Sequence, residues 1–123
     1  MNNIELLKQI YLGTEDLEGR YVSDFTIFSP GAAQTAGSFV GLEAAGAHVE
    51  LYKRLSGGTY AMESLATYLA DDDYGLAVSR ITAERNGKSL DMIGFGIWKF
   101  QNGKAIAHWE CPANLAEWDE FWS

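Results

Sequence analysis

The sequence predicts an α+β fold in which helices come first and pack on one face of a bent, mostly antiparallel sheet. Three stretches with apolar residues at three- or four-residue spacing lie in the first half of the chain. Long β-type segments follow them, and two pairs of these segments are joined by Asn-Gly. Asn-Gly between apolar segments is a strong hairpin signal because both turn residues must adopt positive φ. Helices followed by such a meander are typical of α+β domains.

The composition predicts a single domain, residues 1–123, that folds around an apolar core. The chain has 47% hydrophobic residues and 13% aromatic residues, enough apolar surface to offset the chain entropy. Its formal charge of -8 repels phosphates and anionic lipids, so we expect neither nucleic acid nor a membrane as a partner. One cysteine gives no internal disulfide, and the first residues do not resemble a signal peptide, so we expect a cytoplasmic protein.

The first 21 residues predict two short helices. In the first helix, Asn2 or Asn3 caps the start and Gly13 marks the end. A second helix is predicted to begin at Thr14, with Leu17 and Tyr21 on its inward side. Tyr21 lies at the end of this helix, where it can present its hydroxyl to an internal cavity.

A strand and a third helix are predicted next. The β-branched and aromatic residues Phe25 to Phe28 form a short strand that stops at a Pro-Gly turn, and residues 31–41 form a loop. The following helix ends at Gly57 and Gly58. Its helical phase places His48 on the exposed side, so we assign His48 no role. The inward positions of this helix are Leu42, Ala45, Val49, Tyr52 and Leu55.

Four long strands are predicted after residue 58. The segment TYAMESLATYLA reaches an acidic turn, and three further segments are separated by the two Asn-Gly turns. After them, AEWDEFWS is expected to dock the C-terminal tail over an apolar surface through Trp118 and Trp122.

The two Asn-Gly turns also predict the register of the meander. Counting outward places Val78 opposite Phe95 across the first turn. Across the second turn, it places Phe95 opposite Glu110 and Ile97 opposite His108.

Because side chains alternate between faces, this register sorts the meander into two surfaces. The first mixes aliphatic and polar side chains, and we predict that it forms the wall of a ligand pocket. It carries Leu76, Val78, Arg80, Thr82, Asp91, Ile93, Phe95, Ile97, Ile106, His108 and Glu110. The second surface has small residues beside Trp98, Phe100 and Trp109, and we predict that it pairs with a second copy of the chain.

In GKAIAHWE, a Gly-Lys hairpin leads into a strand that ends in His-Trp-acid. This segment resembles the last-strand signature of the SnoaL-like polyketide cyclases, which are part of the nuclear-transport-factor-2-like superfamily. Further landmarks are Asp24, the Pro30-Gly31 pair, and the pattern from Gly37 to Gly41 followed by GLEAAGAHV. The resemblance covers essentially the whole chain.

This resemblance implies a cone-shaped fold of three helices around a curved sheet that encloses a pocket, and a dimer formed through the outer sheet face. In the cyclases, the acid after His-Trp is the proposed general acid/base. Carried over, that role falls on Glu110, with His108 beside it. Glu110 stands where the cyclase pattern has Asp. The superfamily also includes ketosteroid isomerases, dehydratases and members without catalytic activity.

A carboxylate in an apolar cavity has its pKa raised by desolvation, so Glu110 could exchange a proton near neutral pH. Asp91 or His108 would then donate a hydrogen bond to the ligand, as a protonated acid does in ketosteroid isomerase, the standard example of such a site. Arg80 would lower the pKa of Glu110 again and would suit an anionic ligand or a structural ion pair. We predict ligand contacts from Arg80, Phe95, Ile97, Tyr21 and Val78.

Three functions remain open at this point. The first is isomerase or cyclase chemistry on a small apolar, carbonyl-bearing molecule, with Glu110, His108 and Asp91 as catalytic residues. In the second, a noncatalytic ligand-binding or dimerisation module, the same residues form a structural network. The third is hydrolysis or dehydration through a water between Glu110 and Asp91. Two histidines and one cysteine show no metal-ligand spacing, so we predict neither a metal nor a cofactor.

Overall fold

A computed structural model describes residues 1–123 and has three helices packed on one six-stranded sheet. The strand order is β2-β1-β6-β5-β4-β3, and every neighbouring pair is antiparallel except β1 and β6. The predicted α+β fold, with helices against a mostly antiparallel sheet in a cone-like arrangement, is confirmed. In chain order, the elements are α1 Asn3–Leu12, β1 Tyr21–Ser29, β2 Gly37–Val40, α2 Leu42–Leu55, β3 Ala61–Ala70, β4 Tyr74–Arg85, β5 Lys88–Gln101, β6 Lys104–Pro112 and α3 Leu115–Trp122.

Helix α1 has both predicted end signals. The Asn2 side chain accepts a hydrogen bond from the Glu5 amide, and the Glu5 carboxylate accepts one from the Asn2 amide, forming a capping box. Gly13 ends the helix with a φ of 67°. The second helix, expected from Thr14, is absent because the Asp16 side chain accepts from the Glu18 amide in a local turn.

The structure adds two elements that the periodicity did not predict. Strand β2 lies inside the segment expected to be a loop and pairs with β1. The C-terminal tail docks through Trp118 and Trp122 as expected, but it does so as helix α3, with the Asn114 side chain accepting from the Glu117 amide at its start. Trp118, Phe121 and Trp122 are buried, so this helix closes one end of the core.

The predicted turn at residues 86–87 and the register that follows from it are confirmed. Asn86 has a φ of 51° and Gly87 a φ of 76°, as a two-residue hairpin loop requires. Val78 lies opposite Phe95, and Arg80 lies opposite Ile93.

The register across the second turn is wrong by one residue because β6 contains a β-bulge. Phe100 pairs with Ala105 as expected, but the next pair is Lys99 with Ala107, so Ile106 has no partner. Beyond the bulge, His108 lies opposite Trp98 instead of Ile97. Likewise, Glu110 lies opposite Gly96 instead of Phe95.

The assignment of the two sheet faces was also wrong. The helices pack on the face with small side chains and not on the mixed face, because the small residues leave room for them. Trp98 and Phe100 belong to the buried core, so they cannot form an outer dimer face. The bulge turns His108 and Glu110 onto the same inner face.

Two core clusters flank the centre of the inner face. One contains Leu6 and Leu7 of α1, and the other contains Trp118 and Trp122 of α3. A cavity opens between them. None of the three helices has the length and apolar character needed to cross a membrane.

Candidate active site

A cavity of about 480 Å³ lies between α1, α2 and the inner face of the sheet. This volume is within the range of small-molecule sites, and most of the lining is apolar or aromatic, as is usual for such sites. The aromatic lining residues are Tyr11, Tyr21, Phe25, Tyr52, Tyr60 and Trp98. His108 and Glu110 bring the ionisable groups to this wall.

Glu110 is held by two side chains of helix α2. Its Oε1 atom lies 2.9 Å from Nε2 of His48 and accepts a 2.8 Å hydrogen bond from the Tyr52 hydroxyl. The Tyr52 oxygen is also 3.0 Å from the Ser29 hydroxyl on β1. Oε2 of Glu110 makes no hydrogen bond within the protein, and the residue borders the cavity, so Oε2 is the oxygen that can act on a ligand.

The pKa of Glu110 lies below its usual value and not above it, as we had expected. Desolvation by burial raises the pKa, but the interactions that favour the carboxylate, chiefly the hydrogen bond and the charge interaction with His48, outweigh it. Glu110 is therefore a carboxylate at neutral pH and can accept a proton.

His108 is neutral and presents a hydrogen-bond acceptor. Its Nδ1 lies 3.1 Å from the carbonyl oxygen of Ile97, which can only accept, so Nδ1 carries the proton. Burial lowers the pKa of His108 to about 4. The ring stacks on Trp98 with 4.0 Å between centroids. In this state, Nε2 accepts hydrogen bonds, so His108 does not act as the donor that we had considered.

Tyr11 supplies the hydroxyl donor at the cavity. The indole N–H of Trp98 donates to the Tyr11 oxygen over 2.9 Å, which leaves the Tyr11 proton available. Burial raises the pKa of Tyr11 to about 12, so the hydroxyl stays protonated. Gly96 allows the Tyr11 hydroxyl to lie this close to the sheet, because a Cβ atom at position 96 would overlap the Tyr11 oxygen.

Sequence reasoning missed His48, Tyr52 and Tyr11 as site residues. His48 was assigned to the exposed side of its helix, yet it is only 2% exposed. The available signal was the spacing of Ala45, His48 and Tyr52 by three and then four residues, which puts them on one helix face. The sequence predicts Tyr52 only as an inward position of its helix and gives no role to Tyr11.

The structure separates Arg80 and Asp91 from Glu110. The Arg80 guanidinium binds Asp91 through two hydrogen bonds of 2.9 and 2.6 Å on the outer face. Both side chains are about half exposed. Arg80 therefore does not neutralise Glu110, and no water can bridge Glu110 and Asp91 across the sheet.

The remaining residues that we predicted to contact a ligand also divide between the cavity and the outer face of the sheet. Tyr21 lines the cavity from the start of β1. Val78 and Ile97 do not line it, because their side chains alternate with inner-face residues and point outward. Phe95 borders only a second, much smaller compartment next to Glu110, and 38% of its surface is exposed.

Comparison with known proteins relates the chain to solved structures. No family model matches the sequence, and no curated protein matches it. The chain is 31% identical to Bal32a from a soil-derived mobile gene cassette, with 97% of this chain and 95% of that chain covered and a TM-score of 0.86.

Two further structures share the fold at lower identity. A nuclear-transport-factor-2-like protein of unknown function from Burkholderia pseudomallei is 16% identical, with 100% and 98% of the two chains covered and a TM-score of 0.76. A putative SnoaL-like polyketide cyclase from Jannaschia is 14% identical, with 98% and 92% covered and a TM-score of 0.71. The predicted resemblance is therefore confirmed in the fold, which the chain shares with nuclear-transport-factor-2-like proteins, and the chain belongs to the family of Bal32a.

Proposed function

We propose that the cavity binds a small, neutral, apolar molecule with a carbonyl group and that Glu110 moves a proton next to that carbonyl. The observation that carries this proposal is the unpartnered Oε2 of Glu110 at the border of an apolar cavity. A carboxylate base of this kind supports isomerisation or ring closure without a cofactor.

The polar groups of the cavity fit the steps of such a reaction. Oε2 of Glu110 takes a proton from the carbon beside the carbonyl, and the C–H electron pair becomes an enolate. The Tyr11 hydroxyl donates to the enolate oxygen and stabilises its charge. The proton then returns to a different carbon in an isomerisation. In a cyclisation, the enolate carbon attacks a second carbonyl carbon, and the oxygen of that carbonyl takes the proton back from Glu110 and becomes a hydroxyl.

The charge of the cavity favours a neutral ligand. No lysine or arginine lines it, and Glu110 is an anion. A ligand carboxylate would meet an uncompensated like charge in an apolar environment, which is unfavourable. His108 Nε2 can accept a hydrogen bond from a ligand hydroxyl. We therefore expect hydroxylated ketones as ligands and not keto acids.

A noncatalytic binding module is the second candidate. It is favoured by the pair of hydrogen bonds on Oε1, which would also hold Glu110 as part of a structural network. In this case, the cavity binds a ligand without changing it.

We also propose that the chain forms a homodimer through the outer sheet face. Several large apolar side chains lie there outside the core, and Trp109 stacks on Phe28 with 5.2 Å between ring centroids. An apolar face of this kind is typical of a subunit interface. The residues concerned are Leu76, Val78, Ile93, Phe95, Ile97 and Trp109.

The function is tested by a thermal-shift screen of the wild type and Glu110→Gln against neutral polycyclic ketones, steroids and short keto acids. Stabilisation by one class of neutral ketone, with turnover lost but binding retained in Glu110→Gln, supports the proton-transfer enzyme. Binding without turnover by either protein supports the noncatalytic module. Glu63→Gln, an exposed acid on β3, is the control and should behave as the wild type.

A further inference from the structure

A second, much smaller compartment lies next to Glu110, between the sheet and α3. Its volume is about 30 Å³, which is room for a water molecule and too little for a ligand of several atoms. Glu110 and His108 border both this compartment and the large cavity. Ser79 and Trp118 border only the compartment.

Two residues that border this compartment each carry a buried polar atom with no partner in the protein. Oγ of Ser79 and Nε1 of Trp118 are both inaccessible from the surface and make no hydrogen bond. Each residue is only 2% exposed. Buried polar groups are nearly always paired with protein or ordered water, and an indole N–H can only donate. The compartment therefore offers one obligatory donor and one hydroxyl to a molecule that can both accept and donate.

We infer that this compartment is a water site, in which a water bound by Ser79 and Trp118 donates a hydrogen bond to Glu110. The water accepts from the indole N–H of Trp118 and from the hydroxyl of Ser79. One water proton then points to Glu110, whose Oε1 already has two partners, and Oε2 receives it. Three hydrogen bonds are the usual number for a buried water.

The site gives Ser79 and Trp118 positioning roles toward the carboxylate. Oε2 has acceptor capacity for the water and for a ligand proton at once. One further step rests on the proposed function. The water passes to solvent the proton that Glu110 has taken from the ligand, and a solvent proton replaces it. Product formed in D2O by the wild type then carries deuterium at the reprotonated carbon. Loss of the water would leave more of the original proton in the product.

The test compares Ser79→Ala and Trp118→Phe with the wild type in ligand-free protein. Trp122→Phe is the matched control, because Nε1 of Trp122 is also buried and unpartnered but Trp122 does not border the compartment. We expect a high-resolution crystal structure of the wild type to contain a water within hydrogen-bond distance of Ser79 Oγ, Trp118 Nε1 and Glu110. The same water should be absent from the protein that carries both Ser79→Ala and Trp118→Phe, and present in Trp122→Phe.

The second readout is the pKa of the Glu110 carboxyl, followed by NMR. It should rise in Ser79→Ala and in Trp118→Phe, because the carboxylate loses a hydrogen-bond donor, and stay unchanged in Trp122→Phe. A dry compartment in the wild type, or an equal change in Trp122→Phe, overturns the inference. Neither readout needs a ligand, so failure of the water site and failure of the proposed reaction are separate results.

Discussion

Nε2 of His48 on helix α2 lies 2.9 Å from Oε1 of Glu110 on β6, and the His48 side chain is fully buried. This contact joins a helix and a strand that are far apart in sequence. It fixes the orientation of the carboxyl group, so that Oε1 faces α2 and Oε2 is left for the cavity.

His48→Phe should keep the ring contact with Phe39, whose centroid is 4.2 Å away, while removing the hydrogen bond to Glu110. The pKa of Glu110 should rise, and the free energy of unfolding should fall by about 1–3 kcal/mol, since a buried carboxylate loses a partner. NMR titration and urea denaturation measure the two effects. Glu50→Gln, an exposed change on the same helix, should alter neither. An unchanged Glu110 pKa in His48→Phe would show that the contact is electrostatically unimportant.

Tyr11→Phe should lower turnover more than binding. The substitution removes the hydroxyl that would stabilise the enolate, and loss of one such donor typically costs about 10²–10³-fold in rate. Steady-state kinetics with the ketone found in the ligand screen measure kcat and KM separately. Tyr74→Phe removes an exposed hydroxyl as a control. Equal kcat values in the wild type and Tyr11→Phe would eliminate the donor role.

The protein should lose stability as the pH falls from about 6.5 to about 4. The pKa of His108 is about 4 in the fold and 6.5 in the unfolded chain, so the unfolded chain binds more protons in this window. At about 1.36 kcal/mol per pKa unit, the loss from His108 is of the order of 3 kcal/mol. Glu110, whose pKa is lowered, adds to the loss below 4.5.

Urea denaturation at several pH values checks this window. His108→Asn, whose amide can still donate to the Ile97 carbonyl, should have a shallower dependence between pH 6.5 and 4. The same slope in both proteins would mean that His108 is not the group responsible.

Gly96→Ala should destabilise the protein and disturb the site. The added Cβ would overlap the Tyr11 oxygen and lie 3.1 Å from both His108 Cε1 and Trp98 Nε1. Overpacking of this kind costs about 1–3 kcal/mol. Gly46→Ala, in the middle of α2 with no atom within 4 Å of the new Cβ, should instead stabilise by about 0.5–1 kcal/mol. Thermal unfolding of both variants gives the comparison, and a neutral Gly96→Ala would mean that the inner face has more room than the structure describes.

Phe95→Lys should convert the proposed dimer into a monomer. A charge on the outer face would be desolvated in the interface, while the cavity on the other face is unaffected. Light scattering coupled to size exclusion gives the mass of each protein. Leu12→Lys, an exposed apolar position on α1, should leave the mass unchanged. A wild type that is already monomeric at high concentration would refute the dimer.

The features that could be predicted from the sequence are those with local signals. The cap at Asn2, the Asn-Gly turns and the β4–β5 register depend on residues close to one another in the chain. The parallel pairing of β1 with β6 depends on distant segments and has no local signature. Which face of the sheet the helices cover also depends on contacts between distant segments. Gly94 and Gly96 were a signal, since two glycines on one face indicate that other side chains pack closely against it.

The sequence placed Glu110 and His108 at a cavity through two errors that cancelled. Glu110 and His108 do face the cavity, but we assigned them to the mixed surface, which is the outer one. The bulge at Ile106 moves them to the inner face, and no glycine or proline in this stretch signals it. His48 was missed because it lies next to Val49, which we took as one of the inward positions of the helix.

The bulge at Ile106 also makes the length of this segment more important than its composition. Deletion of Ile106 would give an unbroken ladder in which His108 still lies opposite Trp98 and Glu110 opposite Gly96, so both side chains would stay on the cavity side of the sheet. A regular ladder that instead paired Ile106 would turn both side chains to the opposite side, and the cavity would lose its carboxylate although neither residue is mutated. In evolving relatives, we therefore expect the bulge and the extra residue to be gained or lost together.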